Sequence, residues 1–175
     1  MSARVYNVLF LCTTNAARSI MAEAITNHAG RGRFRAFSAG SKPLGQPNPL
    51  AIELLERHKF PTIGLRSKSW NEFTTSDAPH MDFVIIVCDQ ARCEVCPDFP
   101  GRPITAHWGI PDPAAVHGTG DERLAAFRHA FSALERRIRV FMSLRLELLD
   151  RMSIKRRIDE IGTISSDSSD EDENR

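Results

Sequence analysis

The chain has 175 residues, of which 42% are hydrophobic and 26% are charged. This length and composition are those of an ordinary soluble globular protein with one sizeable core. No apolar run approaches the roughly 18 residues that a membrane-spanning helix needs, and the start Met1–Arg4 shows no signal-peptide pattern. We therefore expect a cytoplasmic protein that does not contact membranes.

The charge is distributed unevenly along the chain. Residues 163–175 contain five acidic residues and one basic residue, so removing them changes the formal net charge from +1 to +5. A weakly basic domain suits an anionic substrate, but it lacks the dense basic surface of a nucleic-acid binder. The sequence predicts a catalytic domain over residues 1–162, an acidic disordered tail over 163–175, and no nucleic-acid partner.

The first half of the chain alternates apolar runs with helical patterns. Val5–Leu11 is predicted to be a buried strand, and a helix begins near Ser19. A second strand covers Phe34–Ala39. Asn48 and Pro49 then provide a typical helix start, and this second helix ends before Pro61.

The second half repeats the alternation. Asp82–Cys88 and Ile104–Trp108 are predicted strands, and Gly109–Pro113 is predicted to be a rigid turn. The longest helix follows, because large apolar side chains recur at intervals of three and four residues. That stripe consists of Leu124, Phe127, Phe131, Leu134, Ile138 and Phe141. A less regular helical pattern covers Leu144–Ile161.

Strands that alternate with helices predict an α/β fold with a four-stranded parallel sheet flanked by helices. Ligands of such sheets bind beyond the carboxyl ends of the strands. Cys12, Cys88 and Asp112 each lie at or just past such an end. We therefore expect these three residues to converge on one edge of the sheet.

Cys12 and Arg18 are separated by five residues, between a predicted strand and a predicted helix. A loop of this length lets backbone amides surround a tetrahedral oxyanion while the guanidinium closes the ring. The amides and the helix end should hold Cys12 partly as a thiolate, which makes it the candidate nucleophile. The predicted anion-binding residues are Thr13, Thr14, Asn15, Ala16, Ala17, Arg18 and Ser19.

Other polar residues are predicted to support this loop. Asn15 is expected to fix the loop through its side chain, and Ser19 to donate its hydroxyl to the Cys12 thiolate. Asp112, held between two prolines, is a candidate proton donor to a leaving oxygen. His107 lies near the candidate site and is expected to be a hydrogen-bonded structural residue. Further polar candidates beneath the loop are Glu23, Ser38 and Lys68.

Three later cysteines, Cys88, Cys93 and Cys96, distinguish hydrolysis from reduction. Water can resolve a covalent Cys12 adduct, or a second thiol can attack it and a third thiol can pass the disulfide outwards. Cys88 and Cys96 suit the two later roles, although all three can also be unreactive thiols. Zinc is less favoured, because no second ligand pair accompanies Cys93 and Cys96.

The segment Cys12–Ser19 resembles the C-x5-R-S loop of the low-molecular-weight tyrosine phosphatase superfamily. Val87-Cys88-Asp89, Cys96-Pro97 and the segment 104–114 resemble its arsenate reductase branch, and the similarity runs from about Val5 to Gly162. This resemblance implies a three-layer, low-molecular-weight phosphatase-like architecture.

The resemblance also implies a thiol relay. Cys12 attacks arsenate, Arg18 holds the anion, and Asp112 assists the departure of water or hydroxide. Cys88 releases arsenite by forming a disulfide with Cys12, and Cys96 (or Cys93) then takes over, so that thioredoxin or a similar thiol reductant can restore the enzyme. Phosphate and sulfate are competing oxyanions, and no metal or organic cofactor is implied.

Two alternatives remain open at this stage. A phosphatase would hydrolyse phosphomonoesters through a Cys12 phosphoenzyme, but Ala114 stands where that branch commonly has tyrosine. A non-catalytic oxyanion-binding module would account for Thr14 and Ala16, which replace a glycine and a serine often found in the family loop.

Overall fold

The computed structural model describes residues 4–88 and 96–164. Cys93 and residues 165–175 of the predicted tail lie outside this range. The helices and strands, in chain order, are β1 (Tyr6–Cys12), α1 (Arg18–Ala29), β2 (Phe34–Gly40), α2 (Pro49–Arg57), β3 (Phe83–Cys88), β4 (Ile104–Ile110), α3 (Gly120–Met142) and α4 (Arg151–Ile161). Short 3-10 helices cover Trp70–Phe73, Pro113–Ala115 and Leu146–Leu148.

The four strands form one parallel sheet in the order β2-β1-β3-β4. This confirms the predicted α/β fold class. Strand β1 lies in the interior, with Cys12 opposite Gly40 of β2 and Leu11 opposite Ile86 of β3. Its carboxyl end is therefore flanked by both neighbouring strands.

The side chains of β1 alternate between two clusters of buried residues, one on each face of the sheet. Val8, Phe10 and Cys12 belong to a main cluster that includes residues from all four α-helices. Leu9 and Leu11 belong to a second cluster, which Phe73, Met81 and Phe99 complete. Successive strand residues point to opposite faces, so the sheet is the middle layer between these two clusters.

Side chains cap the starts of α2 and α3, and the start of α2 at Asn48 is the one that the sequence predicts. Asn48 caps α2 by accepting a hydrogen bond from the Leu50 amide, and Thr119 caps α3 by accepting one from the Glu122 amide. The predicted stripe of α3 faces the core, where Phe127, Phe131, Leu134, Ile138 and Phe141 are buried. Within the described residues, no helix is long and apolar enough to cross a membrane.

Two predicted extents differ from the structure. The helical pattern of Leu144–Ile161 divides into the 3-10 helix Leu146–Leu148 and α4, which begins only at Arg151. The fourth strand does not end at Trp108 but continues through Gly109 to Ile110, so the turn begins at Pro111. Ile110 pairs with Cys88 across a shift in the register between β3 and β4. The longer strand brings its carboxyl end, and Asp112 just beyond it, level with the ends of β1 and β3.

Candidate active site

The loop between β1 and α1 directs its carbonyl groups away from its centre. Because a trans peptide places C=O and N–H on opposite sides, outward carbonyls leave the following amides facing inwards. The carbonyl oxygens of Thr13, Thr14 and Ala16 accept from the backbone amides of Lys42, Leu44 and Asn48, at 2.8, 3.1 and 2.8 Å respectively. This arrangement forms the concave row of amides that an oxyanion requires.

Asn15 and Gly40 make this curvature possible. Asn15 has a φ angle of +46°, a left-handed conformation that asparagine tolerates better than most residues. A Cβ atom on Gly40 would lie only 2.9 Å from the Asn15 nitrogen and from the Cys12 oxygen, and closer still to the Thr13 oxygen. A glycine at the end of β2 is therefore needed for the loop to pack against that strand.

The side chain of Asn15 ties the loop together. Its amide nitrogen donates to Ser19 Oγ at 2.8 Å, and its Oδ1 accepts from the Lys68 backbone amide at 2.9 Å. Ser19 Oγ lies 2.8 Å from Cys12 Sγ. Ser19 Oγ therefore contacts both the Asn15 amide and the Cys12 sulfur, and either Ser19 or the Cys12 thiol can be the donor between those two. The Asn15 backbone amide also donates to that sulfur, at 3.2 Å.

Arg18 connects the loop to β4. Its Nη1 donates to the Ile110 carbonyl at 2.8 Å, and its Nη2 lies 3.8 Å from Asp112 Oδ2. The Arg18 side chain is only 6% exposed, whereas that of Asp112 is 37% exposed. Asp112 Oδ1 accepts from the Ala114 amide at 3.0 Å, which fixes the carboxylate at the start of a 3-10 helix. A buried cation and an accessible carboxylate thus lie side by side.

The ionisation of Cys12 differs from the prediction. Burial raises the pKa of the Cys12 thiol above its ordinary value, and it outweighs the hydrogen bonds of Ser19 and the charge of Arg18, which lower it. The direction of this shift is opposite to the prediction that the loop lowers the pKa of Cys12. The physical reason is that the sulfur is nearly excluded from solvent, which disfavours the charged form.

Glu23 and Lys68 form a buried charge pair that adjoins the loop support. Lys68 Nζ lies 3.8 Å from Glu23 Oε1, with side chains only 6% and 11% exposed. Burial raises the pKa of Glu23 and lowers the pKa of Lys68, and in each case the charge of the partner partly offsets the shift. Because the Lys68 backbone amide holds Asn15, this pair belongs to the same support.

Cys88 lies at the same sheet edge as Cys12. Its sulfur is 3.8 Å from Thr13 Oγ1, and Thr13 directly follows Cys12 in the loop. Cys12 and Cys88 also belong to the same buried cluster. Two thiols and an anion loop therefore share one site.

The sequence that forms this site is similar to those of known proteins. Residues 7–155 match the family described as low molecular weight phosphotyrosine protein phosphatase. The chain belongs to that family.

Relatives within this family are named arsenate reductases. The chain is 32% identical to the arsenate reductase of Shouchella clausii over 140 residues, which cover 77% of this chain and 93% of the relative. An arsenate reductase structure from Archaeoglobus fulgidus is 27% identical, covers 78% of this chain and 99% of its own, and superposes with a TM-score of 0.62. A thioredoxin-dependent arsenate reductase from Corynebacterium glutamicum is 26% identical, with coverage of 79% and 64% and a TM-score of 0.54.

The structure brings together most of the site residues that the sequence predicts. Cys12, Arg18 and Asp112 converge with Cys88, and residues 13–19 form the loop around them. Cys96 is partly exposed and packs against the second cluster rather than the main cluster that contains Cys12 and Cys88. Cys93, the alternative last thiol, lies outside the described residues.

Sequence reasoning missed the outer support of the family loop. Residues 42–48 supply the backbone amides that turn the loop carbonyls outwards. No side-chain pattern signals this role, because backbone groups of any residue type can perform it. The only available signal was the proline- and glycine-rich composition of residues 43–49, which predicts a compact loop.

Proposed function

We propose that this protein reduces arsenate to arsenite through a relay of thiols. The observation that carries the proposal is a second buried thiol, Cys88, which lies 3.8 Å from Thr13 Oγ1 and shares a buried cluster with the nucleophile Cys12. The arsenate reductases among its relatives support the same reaction class.

In the first step, the Cys12 thiol passes its proton to an oxygen of the arsenate dianion, and Cys12 Sγ attacks the arsenic atom, so that a sulfur–arsenic bond replaces an arsenic–oxygen bond. Arg18 and the loop amides stabilise the oxyanion, while Asp112 supplies the proton with which the oxygen leaves as water. Arg18 is positioned for this role by Ile110, and it lies beside Asp112. Arsenic remains in its pentavalent state at this point.

In the second step, the Cys88 thiolate attacks Cys12 Sγ. A disulfide forms, the sulfur–arsenic bond breaks, and its electron pair passes to arsenic, which leaves as trivalent arsenite. Cys96 or Cys93 then attacks Cys88 and frees Cys12 as a thiolate. An external dithiol of the thioredoxin type supplies two electrons and two protons to reduce the remaining disulfide. Such a relay suits the cytoplasm, where thiols are kept reduced.

The test is arsenite production by the full chain in the presence of a thioredoxin system. Cys88→Ser must abolish turnover while it preserves phosphate binding, because the anion loop remains intact. Unchanged turnover in Cys88→Ser would exclude the relay. Disulfide mapping after one turnover without reductant identifies the last thiol, as a bond from Cys88 to either Cys96 or Cys93.

Phosphomonoester hydrolysis is the second candidate, and the family assignment together with the contact between Arg18 and Asp112 favours it. It requires neither Cys88 nor the later thiols. Hydrolysis of p-nitrophenyl phosphate by a Cys88→Ser/Cys93→Ser/Cys96→Ser variant, with a higher kcat/KM than the wild type shows for arsenate, would favour the phosphatase.

A further inference from the structure

His107 contacts the thiol-bearing end of β3 through its side chain. Its Nε2 lies 3.0 Å from the carbonyl oxygen of Cys88. A carbonyl oxygen can only accept, so Nε2 carries the hydrogen and donates it. The imidazole thus binds the backbone of the residue to which the second thiol is attached.

The contact lies where the β3–β4 ladder is irregular. Ile86 pairs with His107, but Cys88 pairs with Ile110, so β4 contains one more residue than β3 over this interval. Such a bulge weakens regular pairing locally and redirects the strand. The His107 side chain connects the two strands at this interruption.

The strand that carries His107 is itself fixed from the other side. Trp108 Nε1 donates to the Ile158 carbonyl of α4 at 3.0 Å. At the end of α4, Gly162 packs so closely that a Cβ atom there would lie 2.6 Å from the His107 oxygen. His107 therefore lies on a strand that is held rigidly by its neighbours. A residue that positions another group needs such a rigid support.

The placement of Cys88 makes its orientation critical. Cys88 belongs to the main cluster with Cys12, whereas Cys96 packs against the second cluster. In the relay, Cys88 must first face Cys12 and only later meet the last thiol. A side chain that binds the Cys88 backbone favours the arrangement in which Cys88 faces Cys12.

We infer that His107 is a positioning residue for disulfide formation between Cys12 and Cys88. The inference rests on the proposed function. His107 acts through the Cys88 backbone, so its loss slows the disulfide step and leaves anion binding unchanged. Because one neutral hydrogen bond is involved, the expected decrease is about 3- to 10-fold.

The test uses the full chain in a Cys93→Ser/Cys96→Ser background, in which the relay stops at the first disulfide. The rate of arsenite release in a single turnover is measured, together with the phosphate Kd. His107→Leu is expected to slow the turnover by about 3- to 10-fold without a change in Kd. His107→Gln, whose amide nitrogen can reach the Cys88 carbonyl, restores the rate, whereas the shorter His107→Asn does not. His129→Leu, on the exposed surface of α3, is the matched control and has no effect.

Three results would overturn the inference. The first is an unchanged single-turnover rate in both His107→Leu and His107→Asn. The second is a parallel loss of rate and phosphate affinity that His107→Gln does not rescue, because this indicates general disruption of the fold. The third is absence of arsenite from the parent with His107 intact, in which case the proposed function fails as well.

Discussion

Gly40→Ala tests whether the anion loop depends on its close packing against β2. The new Cβ would lie 2.9 Å from the Asn15 nitrogen and the Cys12 oxygen, whereas ordinary contact begins at 3.4 Å. All three crowded atoms belong to the backbone, so no side chain can rotate away. The loop must therefore retreat by at least about 0.5 Å, and overpacking of this kind costs about 1–3 kcal/mol of stability.

Such a displacement affects the row of amides directly. Since a misplacement of about 1 Å can reduce a rate by about 100-fold, we expect Gly40→Ala to weaken phosphate binding and arsenate turnover by at least about 10-fold. Calorimetric titration with phosphate measures the affinity, and thermal unfolding checks the fold. Gly120→Ala is the matched control, because a Cβ there meets nothing within 4 Å. A folded Gly40→Ala variant with phosphate affinity within about twofold of wild type would refute the reasoning.

Two substitutions and one pH series test the charged groups of the site. Arg18→Lys removes the planar fork that binds the Ile110 carbonyl, so kcat/KM should fall by at least about 100-fold in a variant that thermal unfolding shows to be folded; a loss below about threefold contradicts this role. Burial raises the pKa of Cys12, so its alkylation by iodoacetamide should still accelerate between pH 7 and 9, and a plateau near pH 6 would show the opposite shift. Lys68→Met should lower the free energy of unfolding by about 3–5 kcal/mol at pH 8, measured by urea unfolding. The pKa of Glu23 is raised in the folded state, so the contribution of Glu23 to stability is complete below about pH 4.3 and is lost as pH rises through the pKa of the folded state. The loss of unfolding free energy in Lys68→Met must therefore shrink towards pH 5. Equal losses at both pH values would exclude this explanation.

The convergence of Cys12, Cys88 and Asp112 could be predicted because it follows from topology. Each residue comes at or just past the carboxyl end of an apolar run, and parallel strands present those ends at one edge. The short apolar runs and the capping residues determine the elements locally. The pattern of apolar runs was therefore enough to predict that Cys12, Cys88 and Asp112 lie at one edge of the sheet.

The support of the loop could not be predicted in the same way. Gly40 matters because it lies opposite Cys12 in the β1–β2 register, and a register is a long-range property. The amides of residues 42–48 act through the backbone, which the sequence does not distinguish. The direction of the Cys12 pKa shift depends on a balance between burial and hydrogen bonds, and only coordinates reveal which of the two is larger.

The burial of Cys88 distinguishes arsenate reduction from phosphomonoester hydrolysis. Hydrolysis requires water to attack the phosphorus of the bound group, which water reaches from the solvent side of the loop. Reduction requires attack on the Cys12 sulfur itself, opposite the departing arsenic, and therefore from the protein side. Cys12 is 1% exposed and Cys88 is 0% exposed, and both belong to the main cluster, with the Cys88 sulfur 3.8 Å from Thr13 Oγ1 of the loop. The second thiol therefore lies on the interior side of the loop, where solvent does not reach. An oxyanion loop alone serves either reaction, but a buried thiol adjacent to its nucleophile contributes only to the reduction.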